Sequence, residues 1–96
     1  MYPTLKMTVP IYNWEIEYYE MTESESEQLA VAVNENDNLK ILQLVASLIK
    51  AWNCTDRKGN VLPVDAAGVA QLPYSVIELI IKGSKVGNNM ALDPKQ

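Results

Sequence analysis

Ile41, Leu42, Val45, Leu48, Ile49 and Trp52 follow one another at spacings of 1, 3, 3, 1 and 3. A period near 3.6 draws these side chains into one apolar stripe along a helix, with Lys40, Gln43, Ser47 and Lys50 on the opposite side. Leu39 and Leu44 widen the stripe, so this helix is expected to be buried on more than one side. Other apolar surfaces must be brought to it, and the flanking segments supply them.

Upstream, Tyr12, Trp14, Ile16 and Tyr18 alternate with Asn13, Glu15 and Glu17, the pattern of a half-buried strand over residues 11–18. Lys6-Met7-Thr8-Val9 reads as a short edge strand stopped by Pro10, which has no N–H to give to a ladder. A two-stranded hairpin needs helices packed on it to be stable in water. Tyr18 and Tyr19 point to opposite faces unless the strand ends between them. Thr22-Glu23-Ser24-Glu25 has the form of a capping box, and its glutamates complement the positive end of the helix dipole. That helix is expected to end near Asn34. The polar run from Asn34 to Asn38 then turns the chain, with Asp37 or Asn38 capping the striped helix.

Downstream of Trp52, Asp56 through Asn60 reads as a tight turn with Gly59 at positive φ. Cys54-Thr55 and Val61-Leu62 flank it as a very short hairpin. Asp65 caps a helical turn over Ala66 to Leu72, and Pro73 opens a last helix carrying Val76, Ile77, Ile80 and Ile81. Gly83 is expected to stop that helix, leaving residues 84–96 as a flexible tail. The fold class that follows is mainly α with a small N-terminal β element (α+β): three to four helices plus a short hairpin, in one domain over residues 1–83.

The chain has 96 residues, 48% of them hydrophobic and 21% charged, as in folded domains. Its formal net charge is −4, unevenly spread. Eight acids and no base lie between Glu15 and Asp37, while four acids and all eight bases lie elsewhere. Such a block repels phosphate backbones, so no nucleic-acid partner is expected. It is either a solvated face or a surface that meets a basic protein. Cys54 is the single cysteine, which fits a reducing compartment. The N-terminus lacks the basic and apolar regions of a signal peptide. The apolar run from Leu39 to Trp52 is too short to span a bilayer. A cytoplasmic location and no membrane partner are the expectation.

Reactive groups are scarce. The sequence has no histidine, which removes the commonest general base and zinc ligand. The glycines at 59, 68, 83 and 87 form no phosphate-binding loop. Glu15 and Glu17 share a strand face, but it is the polar, solvated one. Thr55, Asp56 and Asn60 do not have the spacing of an EF-hand loop, and the turn needs Asp56 and Asn60 for its own hydrogen bonds. Cys54 reads as a small buried residue rather than a reactive thiol. No catalytic residue, cofactor or metal ligand is expected, and the chain is expected not to be an enzyme. The aromatics Trp14 and Tyr18, with Tyr2, Tyr12 and Tyr19 nearby, exceed what a two-stranded hairpin can bury. They either cover the helices or anchor an interface.

The run Ala51-Trp52-Asn53-Cys54-Thr55-Asp56-Arg57-Lys58-Gly59-Asn60-Val61-Leu62-Pro63-Val64, with Ala70-Gln71-Leu72-Pro73 after it, resembles a pattern in bacteriophage tail assembly chaperones. That pattern is an apolar helix ending in tryptophan, Asn-x-Thr/Ser-Asp, a charged turn with glycine, Leu-Pro-Val, and a later Leu-Pro opening a final helix. The resemblance covers Leu5 to Gly83. It implies a protein-binding role without catalysis: holding the tape-measure protein in the host cytoplasm during tail morphogenesis, helping recruit tail-tube subunits, and being absent from the finished particle. It also implies self-association into a homo-oligomer, and that this chain is the short form of a pair made by frameshifting. The expected contact surface is Trp14, Tyr18 and Tyr19, the acidic Glu23 and Glu27, and the stripe of Val76, Ile77 and Ile80. The alternatives are a small acidic inhibitor or decoy that occupies a basic site on a host or defence protein, and a structural virion subunit.

Overall fold

The computed structural model describes residues 3–92, with side chains through residue 85. The elements run β1 (Leu5–Val9), β2 (Trp14–Tyr18), α1 (Glu23–Asn34), α2 (Asn38–Leu48), β3 (Ile49–Trp52), α3 (Ala66–Ala70) and α4 (Tyr74–Leu92). The result is an α+β fold of four helices and one three-stranded antiparallel sheet in the order β1-β2-β3. Trp14, Ile16 and Tyr18 are buried on the inner face of the central strand, in one cluster with Val45 of α2, Val69 of α3 and Val76, Ile77 and Ile80 of α4. Met21, Leu29 and Leu48 form a second, smaller cluster beneath α1.

The hairpin begins later than alternation alone suggests. Ile11, Tyr12 and Asn13 belong to the turn rather than to β2. The Tyr12 N–H donates to Val9 O at 3.1 Å and the Asn13 N–H to Pro10 O at 3.1 Å. Asn13 sits at φ 61°, a left-handed conformation that asparagine tolerates better than most residues. The strand ends between the two tyrosines: Tyr18 is buried, whereas the Tyr19 N–H donates to Leu48 O at 2.8 Å.

The largest departure from expectation is in the striped segment. The helix stops at Leu48, and Ile49–Trp52 is a strand paired with β2. Ile16 faces Trp52, Glu17 faces Ala51 and Tyr18 faces Ile49, so Lys50 is an extra, bulged residue. In an unbroken strand Ile49 and Trp52, three apart, would lie on opposite faces. The bulge restores their common side: Ile49 is buried and Lys50 is exposed. A spacing of three is therefore compatible with a helical face or a bulged strand, and the need for a third strand decides between them. Asn53 extends the pairing, its side-chain oxygen accepting from the Glu15 N–H at 2.7 Å.

Both expected caps are present. The Thr22 hydroxyl accepts from the Glu25 N–H at 3.1 Å, and the Glu25 carboxylate accepts from the Thr22 N–H at 2.9 Å. Asp37 caps α2, and Asp65 caps α3 through the Gly68 N–H at 2.8 Å. The turn at Asp56–Asn60 forms with Gly59 at φ 90°, closed by the Thr55–Val61 bridge. Gly83 does not end α4. The helix passes through it to Leu92, so residues 84–92 are helical and not an irregular tail. Gly83 instead serves packing, since a Cβ there would lie 2.9 Å from Met7 Cε and 3.0 Å from Tyr18 Oη. Tyr2 and residues 93–96 of the expected tail lie outside the described residues.

Of the glycines at 59, 68 and 83, Gly68 has the least room. A Cβ at this position would sit 1.9 Å from the Pro63 carbonyl oxygen and 3.3 Å from Trp52 Cζ2. The obstacle is backbone, which cannot rotate away. Gly68→Ala is expected to lower stability by about 2–3 kcal/mol, the upper range for overpacking, despite alanine's better helix propensity. Urea unfolding of the two proteins measures the difference.

Candidate functional site

Five of the eight expected contact residues do not lie on the surface. Trp14, Tyr18, Val76, Ile77 and Ile80 are all buried in the main core cluster. The strand face and the last helix satisfy each other, and β3 supplies the third strand that lets the sheet cover its aromatics. Tyr19 is half-buried. Glu23 and Glu27 are exposed, as expected, on α1.

The concave surface beside those glutamates is a groove of about 490 Å³ between α1 and α2. Its shape follows from local sequence. Asn36, at φ 55°, donates its N–H to Val33 O at 3.1 Å, and Asp37 donates its N–H to Ala32 O at 2.9 Å. This is the paired closure of a Schellman motif with asparagine in the left-handed position. Asp37 then turns its carboxylate onto the Lys40 N–H at 3.2 Å and starts α2. Two consecutive residues thus end one helix, start the next and set the angle at which they diverge.

Val31 and Ala32 line the groove beside Glu27, Glu35, Asp37 and Lys40. Three carboxylates and one ammonium therefore line the groove together with exposed Val31. Val31 is 54% exposed, and the exposed Val33 and Leu39 lie near it in sequence. Within α1 only Leu29 and Ala32 are buried, so most of this helix faces outward. Of the groove residues, only Glu27 is among the contact residues expected from the sequence. The available signal was Val31 and Val33 flanking buried Ala32 with acids on both sides, a helix with more apolar residues than its buried face uses.

The reactive inventory is equally specific. Cys54 is fully buried, and burial pushes its thiol up to about 11. The Asp56 carboxyl is held below its usual range, first by the Asn60 N–H, and its oxygens also accept from the Lys58 N–H and the Asn60 side-chain amide. Among the described residues, no three His, Cys, Asp or Glu side chains are grouped as a metal site. Among the described residues, no helix is long and apolar enough to cross a membrane. Protein-family models, curated proteins and solved structures yield no match to the chain.

Core and groove residues should respond differently to truncation. Ile80→Ala removes a fully buried side chain and is expected to cost about 2–5 kcal/mol. Glu27→Ala, on an exposed helix face, should stay within about 0.5 kcal/mol of the parent. Chemical denaturation of both variants checks this. Because a thiol reacts as its thiolate, Cys54 should resist Ellman's reagent in the folded protein at mildly alkaline pH and react at once in denaturant.

Proposed function

We propose that this chain is a non-enzymatic assembly chaperone of the phage-tail type, whose α1–α2 groove holds an amphipathic helix of a tape-measure protein. The observation that carries the reading is the groove itself: exposed Val31 with Glu27, Glu35 and Asp37 around it. An amphipathic helix laid into such a groove buries its apolar side chains against Val31 and sets flanking lysines or arginines against the carboxylates. Apolar burial supplies affinity, while the charges fix orientation and speed encounter. A groove this open suits a holding role, in which a partner helix is covered and later released. The resemblance of the Trp52-to-Pro73 region to tail assembly chaperones supports the choice of partner.

The acid-rich stretch from Glu15 to Asp37 also favours a second reading, an acidic decoy that fills a basic site on a host or defence protein. The two differ in what Val31 does. For the chaperone, both Val31→Ser and the charge reversal Glu27→Lys/Glu35→Lys should weaken capture of a coexpressed tape-measure protein, each by about tenfold or more. For the decoy, only the charge reversal matters, and binding to its basic target falls steeply with salt. Pulldown of the tape-measure protein by the parent chain, with loss in both variants, is the expected outcome. Undiminished capture by Val31→Ser removes the groove reading.

A further inference from the structure

A second concave surface lies away from the acidic groove. It is a cleft of about 980 Å³ among the β1–β2 turn, the Asp56–Asn60 turn and the junction of α3 with α4. Tyr12 and Trp14 form one wall, with ring centroids 4.4 Å apart and planes inclined by 18°. Trp14 is nearly covered, so Tyr12, 43% exposed, is the ring that the pair offers to a ligand. Arg57, Lys58, Leu72 and Pro73 are also among the lining residues.

Three observations bear on what enters. Arg57 and Lys58 are exposed, and among the described residues their side chains have no hydrogen-bond or ion-pair partner. The one carboxylate in the lining, Asp56, is already engaged by three donors of its own turn. The three most exposed large apolar side chains among the described residues are Ile11 at 84%, Tyr74 at 74% and Val61 at 68%. None of the three lines the cleft itself; each is the immediate sequence neighbour of a lining residue, Tyr12, Pro73 and Asn60 respectively, and so stands near its rim. On a chain of net charge −4, this is a concavity where two free cations stand with the half-exposed ring of Tyr12.

We propose that this cleft is a second docking site, which takes a short acidic segment of a partner protein carrying an apolar side chain. The apolar group packs on Tyr12 and Pro73, and flanking carboxylates pair with Arg57 and Lys58, leaving the solvated Asp56 turn intact. Tyrosine and arginine are the residue types that most often anchor protein interfaces. A single-stranded nucleic acid fits less well. Such sites stack successive bases on several open rings along a continuous basic track, whereas here one ring is open and two cations stand on an acidic molecule. The inference does not depend on the acidic groove, which attracts the opposite charge.

The test is fluorescence anisotropy of the full chain with a labelled, end-blocked peptide of glutamates flanking a central leucine pair. The comparison probes are the same peptide with lysine for glutamate, and oligothymidylate. The acidic peptide is expected to bind at least about tenfold more tightly than either. Arg57→Glu/Lys58→Glu, on an exposed turn whose backbone N–H donors are unchanged, should lose about tenfold or more of that affinity. Val31→Ser, in the groove, should leave it unchanged. Absence of binding by the parent chain, equal binding of the lysine peptide, preference for oligothymidylate, or indifference to the double reversal overturns the proposal.

Discussion

The pairing of Tyr18 with Ile49 across the Lys50 bulge is the contact on which the rest of the molecule depends. The β1–β2 hairpin presents Trp14, Ile16 and Tyr18 on one face, more apolar surface than two strands can keep folded in water. A third strand is needed, and the chain takes it from the end of its most apolar segment. The Tyr19 N–H takes the Leu48 carbonyl at the point where α2 gives way to β3. The bulge turns Ile49 inward and Lys50 outward, so that α2 and β3 contribute to a single core without a connecting loop. Once the sheet has three strands, α4 lays Val76, Ile77 and Ile80 against it, and Gly83 lets the same helix pass close to Tyr18 and Met7.

That arrangement decides which surfaces remain for binding. The sheet and α4 absorb each other's apolar faces, which removes Trp14, Tyr18 and the last helix's stripe from the interface. The first helix is left on the outside, tied down by Leu29 and Ala32 alone. Its other apolar side chains, Ala30, Val31 and Val33, are exposed, and acids flank them in the sequence. The second concavity arises in a similar way, at the meeting of three chain reversals whose tips carry Tyr12, Arg57, Lys58 and Pro73. The two surfaces differ in charge: one has three carboxylates against a lysine, the other two free cations beside an engaged aspartate. The two proposed docking sites would therefore select partners of opposite charge.

Much of the fold was legible in the residues because the deciding interactions are local. The Thr22–Glu25 box, the Asp37 and Asp65 caps, the Asp56–Asn60 turn and the alternation along β2 each depend on side chains a few positions apart. The misreadings are those where a distant partner decides. Ile49 and Trp52 fit a helical stripe until Ile16 and Tyr18 are placed opposite them. Gly83 has the look of a helix terminator, yet Met7 and Tyr18, far away in sequence, are the reason for its lack of a side chain. Trp14 and Tyr18 exceed what a two-stranded hairpin can bury, and only the third strand, distant in sequence, makes the sheet large enough to keep them inside. For the groove, Glu27 was visible as an exposed acid, but Val31, Glu35 and Asp37 gain meaning only through the Schellman turn that brings α2 beside α1.

Docking of an amphipathic helix in the acidic α1–α2 groove is the proposal from which the assembly role follows. Its most direct test is amide chemical-shift mapping of the isotope-labelled chain during titration with a lysine-edged amphipathic helical peptide. The account predicts that the largest shifts fall between Glu27 and Lys40 and spare β2 and α4. Shifts concentrated elsewhere on the surface, or none at saturating peptide, would contradict it.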